Sequence, residues 1–162
     1  MKGKVGRAFD LLFNRGAGAI PVRGKHLSAR ERLSLALRGA LARRVTVNDG
    51  EQSYHFECNR EEELYRVRTL HEKEPGTLNW IDSELRPGDV FFDIGANIGL
   101  FTIYAACRLK ATGMVYAFEP RPPSFCSLLR NIELNGLRNR AQALSCALHA
   151  EDGFFPFNYR VL

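Results

Sequence analysis

The chain has 162 residues, 45% of them apolar and 25% charged, enough for one ordinary domain with the balance of a globular protein. That composition excludes a disordered, collagen-like or low-complexity chain. The net charge of +5 hides an asymmetry. Residues 1–44 carry eleven Lys or Arg against two acids, and residues 45–162 carry twelve against sixteen, so a basic head precedes a mildly acidic body. No stretch approaches the ~18 apolar residues that cross a bilayer. Leu11, Leu12 and Phe13 are too short a run for a secretory leader, so the expected location is the cytoplasm. Cys58, Cys107, Cys126 and Cys146 stand singly with no C-x-x-C pair, a spacing that suits neither a zinc ribbon nor a disulfide framework.

Residues 1–27, broken by Gly16, Gly18, Pro21 and Gly24, read as loop with a short helix around Phe9 to Asn14. Ser28 and Glu31 form a capping-box pattern, and Leu33, Ala36, Leu37, Ala40 and Leu41 then recur at helical spacing. The arginines lie mostly off that stripe, so the helix is expected to be amphipathic with a solvated basic face. Attachment to an acidic partner such as nucleic acid or an anionic lipid surface is the sharper alternative. No aromatic interleaving supports a nucleic-acid partner.

Val45 to Cys58 alternates around Asn48-Asp49-Gly50, a hairpin signal. Glu61 to Glu74 reads as one helix buried through Leu64, Val67 and Leu70, broken by Pro75-Gly76, with a short helix from Thr77 to Leu85. From Asp89 the pattern changes. Val90–Ile94 and Met114–Phe118 are apolar strand runs, 98–110 is an apolar helix between them, and 122–134 is a second helix ended by Asn135-Gly136. Ala141 to Leu148 reads as a third strand, and Gly153 to Tyr159 as the start of a fourth at an edge because of Pro156. Strand, helix, strand, helix, strand at these spacings predicts an α/β fold with an open parallel sheet. The expected organisation is a basic extension at 1–44, a hairpin-and-helix lead-in at 45–74 and the sheet domain at 75–162.

The chemistry concentrates in the first turn, Asp93-Ile-Gly95-Ala96-Asn97-Ile-Gly99. Glycines at the end of a first strand let backbone approach a ligand in the crevice at the carboxyl ends of the strands. A dinucleotide turn would read G-x-G-x-x-G, but Asn97 stands where its second glycine belongs, and Asp93 would repel a phosphate. No G-K-[ST] follows, so a P-loop is excluded. S-adenosylmethionine fits better, because it has an α-ammonium, a sulfonium and a nucleoside and carries no phosphate. Asp93 can hold the turn's amides and favour the cationic end, with the backbone of Gly95 and Gly99 against the methionine portion. Glu119, at the end of the second strand and 20 residues after Gly99, can accept hydrogen bonds from both ribose hydroxyls.

Glu74-Pro-Gly-Thr-Leu-Asn-Trp-Ile-Asp82, Pro87-Gly-Asp-Val-Phe-Phe-Asp-Ile-Gly-Ala-Asn-Ile-Gly99 and Phe118-Glu-Pro120 together resemble the FkbM-type S-adenosylmethionine-dependent methyltransferases, over about residues 45–157. The resemblance implies a doubly wound, Rossmann-like class I methyltransferase sheet and methyl transfer to a hydroxyl oxygen of a sugar, polyketide or related small molecule. It implies that Asp93, Gly95, Ala96, Asn97 and Gly99 form the first cofactor motif and that Glu119 contacts the ribose. It also places Ala147, Leu148 and His149 near the adenine, with His149 where the family has a small polar residue. The family continues into a fourth strand ending in D-x-E-G, a motif that does not occur in these 162 residues. The sheet is therefore expected to be incomplete, and the chain to self-associate or pair with another chain. His149 is the histidine nearest the expected crevice, and no catalytic base is assigned. The alternative reading is a catalytically inactive cofactor-binding module that acts through a partner.

Overall fold

The computed structural model describes residues 28–30, 32–34, 37, 43–110, 112–151 and 153–158. The loop and short helix expected within 1–27, with His26, lie outside the described residues, as do Ala36, Ala40, Leu41 and Tyr159. The chain divides into two units, Met1–Ala42 and Arg43–Leu162. In the first, residues 29, 30, 32–34 and 37 are helical behind Ser28, whose carbonyl accepts from the Arg32 amide at 3.0 Å.

The second unit begins with an antiparallel hairpin, β1 (Arg43–Asp49) and β2 (Gln52–Cys58), paired from Arg43 with Cys58 to Asp49 with Gln52. Its two-residue turn is Gly50-Glu51, with Gly50 at φ +60°, the arrangement that matches the twist of hairpin strands. Tyr54, Phe56 and Cys58 alternate into the core. Burial pushes the Cys58 thiol up to about 11, so it serves as a small apolar filler. Helices α1 (Glu61–Arg68), α2 (Leu70–Lys73) and α3 (Pro75–Glu84) follow.

Two expectations change here. The helix from Glu61 is interrupted at Thr69 (φ −103°, ψ 15°), whose hydroxyl joins its own amide in donating to the Tyr65 carbonyl, at 2.8 and 3.0 Å. Pro75 opens α3 instead of only ending what precedes it, because its missing N–H is no loss at a first helical position.

The sheet is parallel, in the order β3 (Val90–Ile94), β4 (Met114–Phe118), β5 (Ala141–Leu144). The crossovers are α4 (Leu100–Arg108) and α5 (Pro122–Leu134). This is the open, incomplete α/β sheet that the pattern predicts. The third strand ends at Leu144 and not at Leu148. The Glu119 amide makes the last link, to the Leu144 carbonyl at 3.0 Å, and Pro120 then has no N–H to offer, so the residues beyond Leu144 lose their neighbour. Residues 153–158 form no strand.

One face of the sheet, with Phe91, Val115, Ala117 and Ala141, is buried in the core. The other presents Val90, Phe92 and Ile94 at 53–65% exposure, with Phe92 stacked on Tyr116 and Phe118 at 5.7 and 6.1 Å. No helix among the described residues is long and apolar enough to cross a membrane.

Polar side chains tie the hairpin to the sheet layer. Asn131 accepts from the Glu57 amide at 2.7 Å, and Asn135 accepts from the His55 amide and donates to its carbonyl. Asn131 on α5 and Asn135 at its C-terminal cap, one helical turn apart, thus take the place of a strand on β2's free edge. Arg108, on α4, donates to Asp82 and Asp49 at 2.7 Å each and to the hydroxyls of Tyr54 and Tyr104. Burial works against its charge, but the two carboxylates more than offset this and raise its pKa. Burial pushes Tyr54 up to about 12 despite that guanidinium.

Asn131→Ala strands a buried carbonyl and an amide, and is expected to destabilise the chain by ~2–4 kcal/mol. Arg138→Ala, which removes a solvent-exposed pair with Glu133, should change stability by less than ~1 kcal/mol. Urea unfolding checks both, as a shift of midpoint at constant slope.

Candidate functional site

The site is the turn between β3 and α4, together with the end of β4. Three successive constraints shape the turn. Gly95 (φ +79°), Asn97 (φ +53°) and Gly99 (φ +91°) are all left-handed, a conformation that Asn tolerates better than most side chains. The amides of Gly95 and Ala96 both donate to the Phe118 carbonyl, at 2.9 and 3.0 Å, and the Gly99 amide donates to the Ala96 carbonyl at 2.8 Å. Ala96 and Ile98 are buried beneath. Asn131 donates to the Ile98 carbonyl at 2.9 Å, so the same side chain that holds the hairpin also holds the turn.

The two glycines do different work. A Cβ built on Gly95 meets nothing within 4 Å, so it would project into open space beside the turn. A Cβ on Gly99 would lie 2.6 Å from Cδ1 of Leu128, which is fully buried. Gly99 is there so that α4 can close on α5, and Gly95 leaves a bare stretch of backbone facing outward.

Glu119 joins the two halves of the site. Its Oε2 accepts from the Asn97 amide at 2.8 Å and its Oε1 from the Arg121 amide at 2.8 Å. The carboxylate is 7% exposed. Each oxygen keeps a further lone pair, so the group can still accept from a diol.

Asp93 is also 7% exposed. Sequence reasoning assigns it to the turn's amides, but its Oδ2 instead accepts from the Thr102 hydroxyl at 2.5 Å, in the first turn of α4. Burial pushes its carboxyl above the ordinary carboxylate range. The Thr102 hydrogen bonds pull it partly back, and the Glu119 charge pushes it up further. Two buried carboxylates thus stand beside one open turn, and neither belongs to an ion pair among the described residues; the cation next to them in sequence is Arg121, whose amide holds Glu119.

The structure therefore brings Asp93, Gly95, Ala96, Asn97, Gly99 and Glu119 into one constellation. Ala147, Leu148 and His149 follow β5 in irregular, exposed chain. Because the sheet is parallel, they leave it at the same carboxyl edge as the turn. The His149 ring lies tilted against Phe155 with centroids 4.2 Å apart, and its Nδ1 accepts from the Glu151 amide. Sequence reasoning missed Thr102 and Asn131. The available signal was a hydroxyl among the apolar residues of α4 and an amide on the buried face of α5, which also carries Ser124 and Ser127.

No family model matches the chain. It is 45% identical over 79 residues to the 31-O-demethyl-FK506 methyltransferase FkbM of Streptomyces tacrolimicus, which is 45% of this chain and 29% of that protein. It is 38% identical over 88 residues to methyltransferase sdnD of Sordaria araneosa, covering 54% of this chain and 34% of that one. It is 34% identical over 104 residues to the hexuronic acid methyltransferase AglP of Haloferax volcanii, covering 64% and 41%. The chain spans less than half the length of each of these relatives. Among solved structures, M. jannaschii TYW2 in complex with AdoMet overlaps at 22% identity and a TM-score of 0.43, over 62% of this chain and 42% of that one. In sequence, the chain is similar to FkbM-type methyltransferases over part of their length.

Gly99→Ala forces a Cβ into Leu128 at a left-handed φ, and is expected to cost about 1–3 kcal/mol. Gly95→Ala bears only the backbone strain, so it should melt closer to the wild type than Gly99→Ala does. A thermal melt of the two variants side by side tests this division of roles.

Proposed function

We propose that this chain is the cofactor-binding part of an FkbM-type S-adenosylmethionine-dependent methyltransferase acting on a hydroxyl of a small molecule or sugar. The observation that carries the reading is the pair of buried carboxylates, Asp93 and Glu119, flanking a turn whose backbone is open at Gly95. Such a site favours a cation over a polyphosphate. When bound, S-adenosylmethionine supplies an electrophilic methyl group on a sulfonium. The residues present fit that ligand. Asp93 offers a negative charge to an α-ammonium, Gly95 leaves room for an aminoacyl chain against the backbone, and the free lone pairs of Glu119 suit the ribose diol. Ala147 and Leu148 supply apolar surface for a base at the same sheet edge.

The protein's contribution to transfer is to hold the donor fixed so that an acceptor oxygen meets it in line, which in favourable cases is worth up to ~7–11 kcal/mol. The named relatives, which include a hexuronic acid methyltransferase and an FK506-type methyltransferase, support an oxygen acceptor on a hydroxylated small molecule.

The uncovered sheet face favours a second reading, in which the chain works only against another polypeptide surface. Val90, Phe92 and Ile94 form an apolar strip on an edge strand, and parallel sheets are normally covered on both faces. The chain alone should therefore self-associate in light scattering, and Phe92→Lys should shift it towards monomer. A monodisperse wild-type monomer would count against this second reading.

The first reading is tested by calorimetric titration with S-adenosylmethionine at several pH values. The folded pKa of Asp93 is raised, so its proton has to leave before an ammonium can pair with it. Affinity should accordingly fall as pH drops through that raised range, with proton release on binding. Asp93→Asn should lose at least ~10-fold in affinity, a factor equivalent to 1.4 kcal/mol, together with most of the pH dependence. The same substitution removes a buried charge that disfavours folding above the raised pKa, so the ligand-free chain should be no less stable at neutral pH. Tight, pH-independent binding by Asp93→Asn would refute the assignment.

A further inference from the structure

A second concavity begins at the two residues that follow the turn. A groove of about 450 Å³ runs between α1–α2 and the start of α4, within the range of small-molecule sites. Its floor is Leu70, Leu100 and Phe101, and the last two directly follow Gly99 of the turn. One wall is Tyr65, with the Lys73 ammonium 4.4 Å from its ring centroid. Glu62, Arg66 and Glu74 complete the rim. Among the described residues, Glu62, Arg66 and Lys73 form no ion pair, and the Glu74 carboxylate accepts from the Thr77 hydroxyl at 3.4 Å.

We propose that this groove, bounded by Tyr65, Lys73 and Phe101, holds the methyl acceptor, and that the acceptor is a neutral ring rich in hydroxyls with one apolar face, such as a pyranoside. The inference rests on the methyltransferase reading above and adds to it a location and a substrate class. An apolar floor beside an aromatic ring suits the C–H face of such a ring. A rim with two carboxylates and two cations gives hydroxyls both acceptors and charged donors. Because the rim charges cancel, an anionic ligand gains nothing from them. The floor includes the first two residues of the helix that the turn leads into, and this continuity along the chain is what links the groove to the turn.

Backbone-amide NMR of the labelled chain, with S-adenosylhomocysteine present, tests the proposal using methyl β-glucopyranoside and sodium glucuronate as probes at up to about 20 mM, which detects millimolar binding. The expected result is movement of the Tyr65, Thr69 and Phe101 amides, with the glucoside bound at least as well as the glucuronate. Tyr65→Ala and, separately, Lys73→Ala should weaken the glucoside about tenfold or more while leaving S-adenosylhomocysteine affinity unchanged. Both side chains are exposed, so neither change should unfold the chain. Cofactor binding with these amides unmoved by the glucoside would overturn the groove alone, and tenfold tighter glucuronate would overturn the neutral class. Failure of S-adenosylhomocysteine to bind in calorimetry would instead remove the reading on which the groove depends.

Discussion

The Glu119 carboxylate accepting the Asn97 amide is the contact on which the site depends. It spans from the end of one strand to the middle of the turn after its neighbour, and it fixes the left-handed Asn97 that lets Gly95 face outward. The Phe118 carbonyl, accepting from both Gly95 and Ala96, completes the stitch. Without a hydrogen-bond acceptor from β4, the turn would have three left-handed residues and few contacts to hold them. A carboxylate that could have been a solvated strand end is therefore structural before any ligand arrives. Its remaining lone pairs are oriented by the amides it already holds, which is the preorganisation a binding group requires.

The rest of the unit supports that stitch. Asn131 reaches the turn at Ile98 and the hairpin at Glu57, so displacing the hairpin would disturb the turn through one side chain. Arg108 clamps the far end of α4 to α3 and the hairpin. Glu63, buried against Arg60 and accepting from the Asn59 amide, anchors the start of α1. The helix that carries Thr102 to Asp93 is thus held at both ends, which keeps the Asp93 carboxylate buried and its charge costly until a cation is present.

Much of this is legible in the residues. β3, β4 and α5 have the bounds that their apolar runs and flanking Gly, Pro and Asn dictate, because those elements are fully framed by local breakers. The third strand reads too long because a strand needs a neighbour, and Pro120 removes that neighbour in a way that Ala141–Leu148 alone does not show. The break at Thr69 is a change of backbone angles at one residue, a feature finer than hydrophobic period. At the site, glycines and carboxylates stand out in sequence because few folds require them at that spacing. The partners of Asp93 and of the Ile98 carbonyl do not, since Thr102 and Asn131 become meaningful only when α4 and α5 pack on the turn.

The central claim is that a turn walled by two carboxylates takes a cationic nucleoside in preference to a dinucleotide phosphate. Following the amide resonances of Gly95, Asn97 and Gly99 during parallel titrations with S-adenosylmethionine and with NADH tests it directly. Saturable shifts of these amides are expected with S-adenosylmethionine and none with NADH. Saturation of the same amides by NADH, with S-adenosylmethionine inert or bound elsewhere, would contradict it.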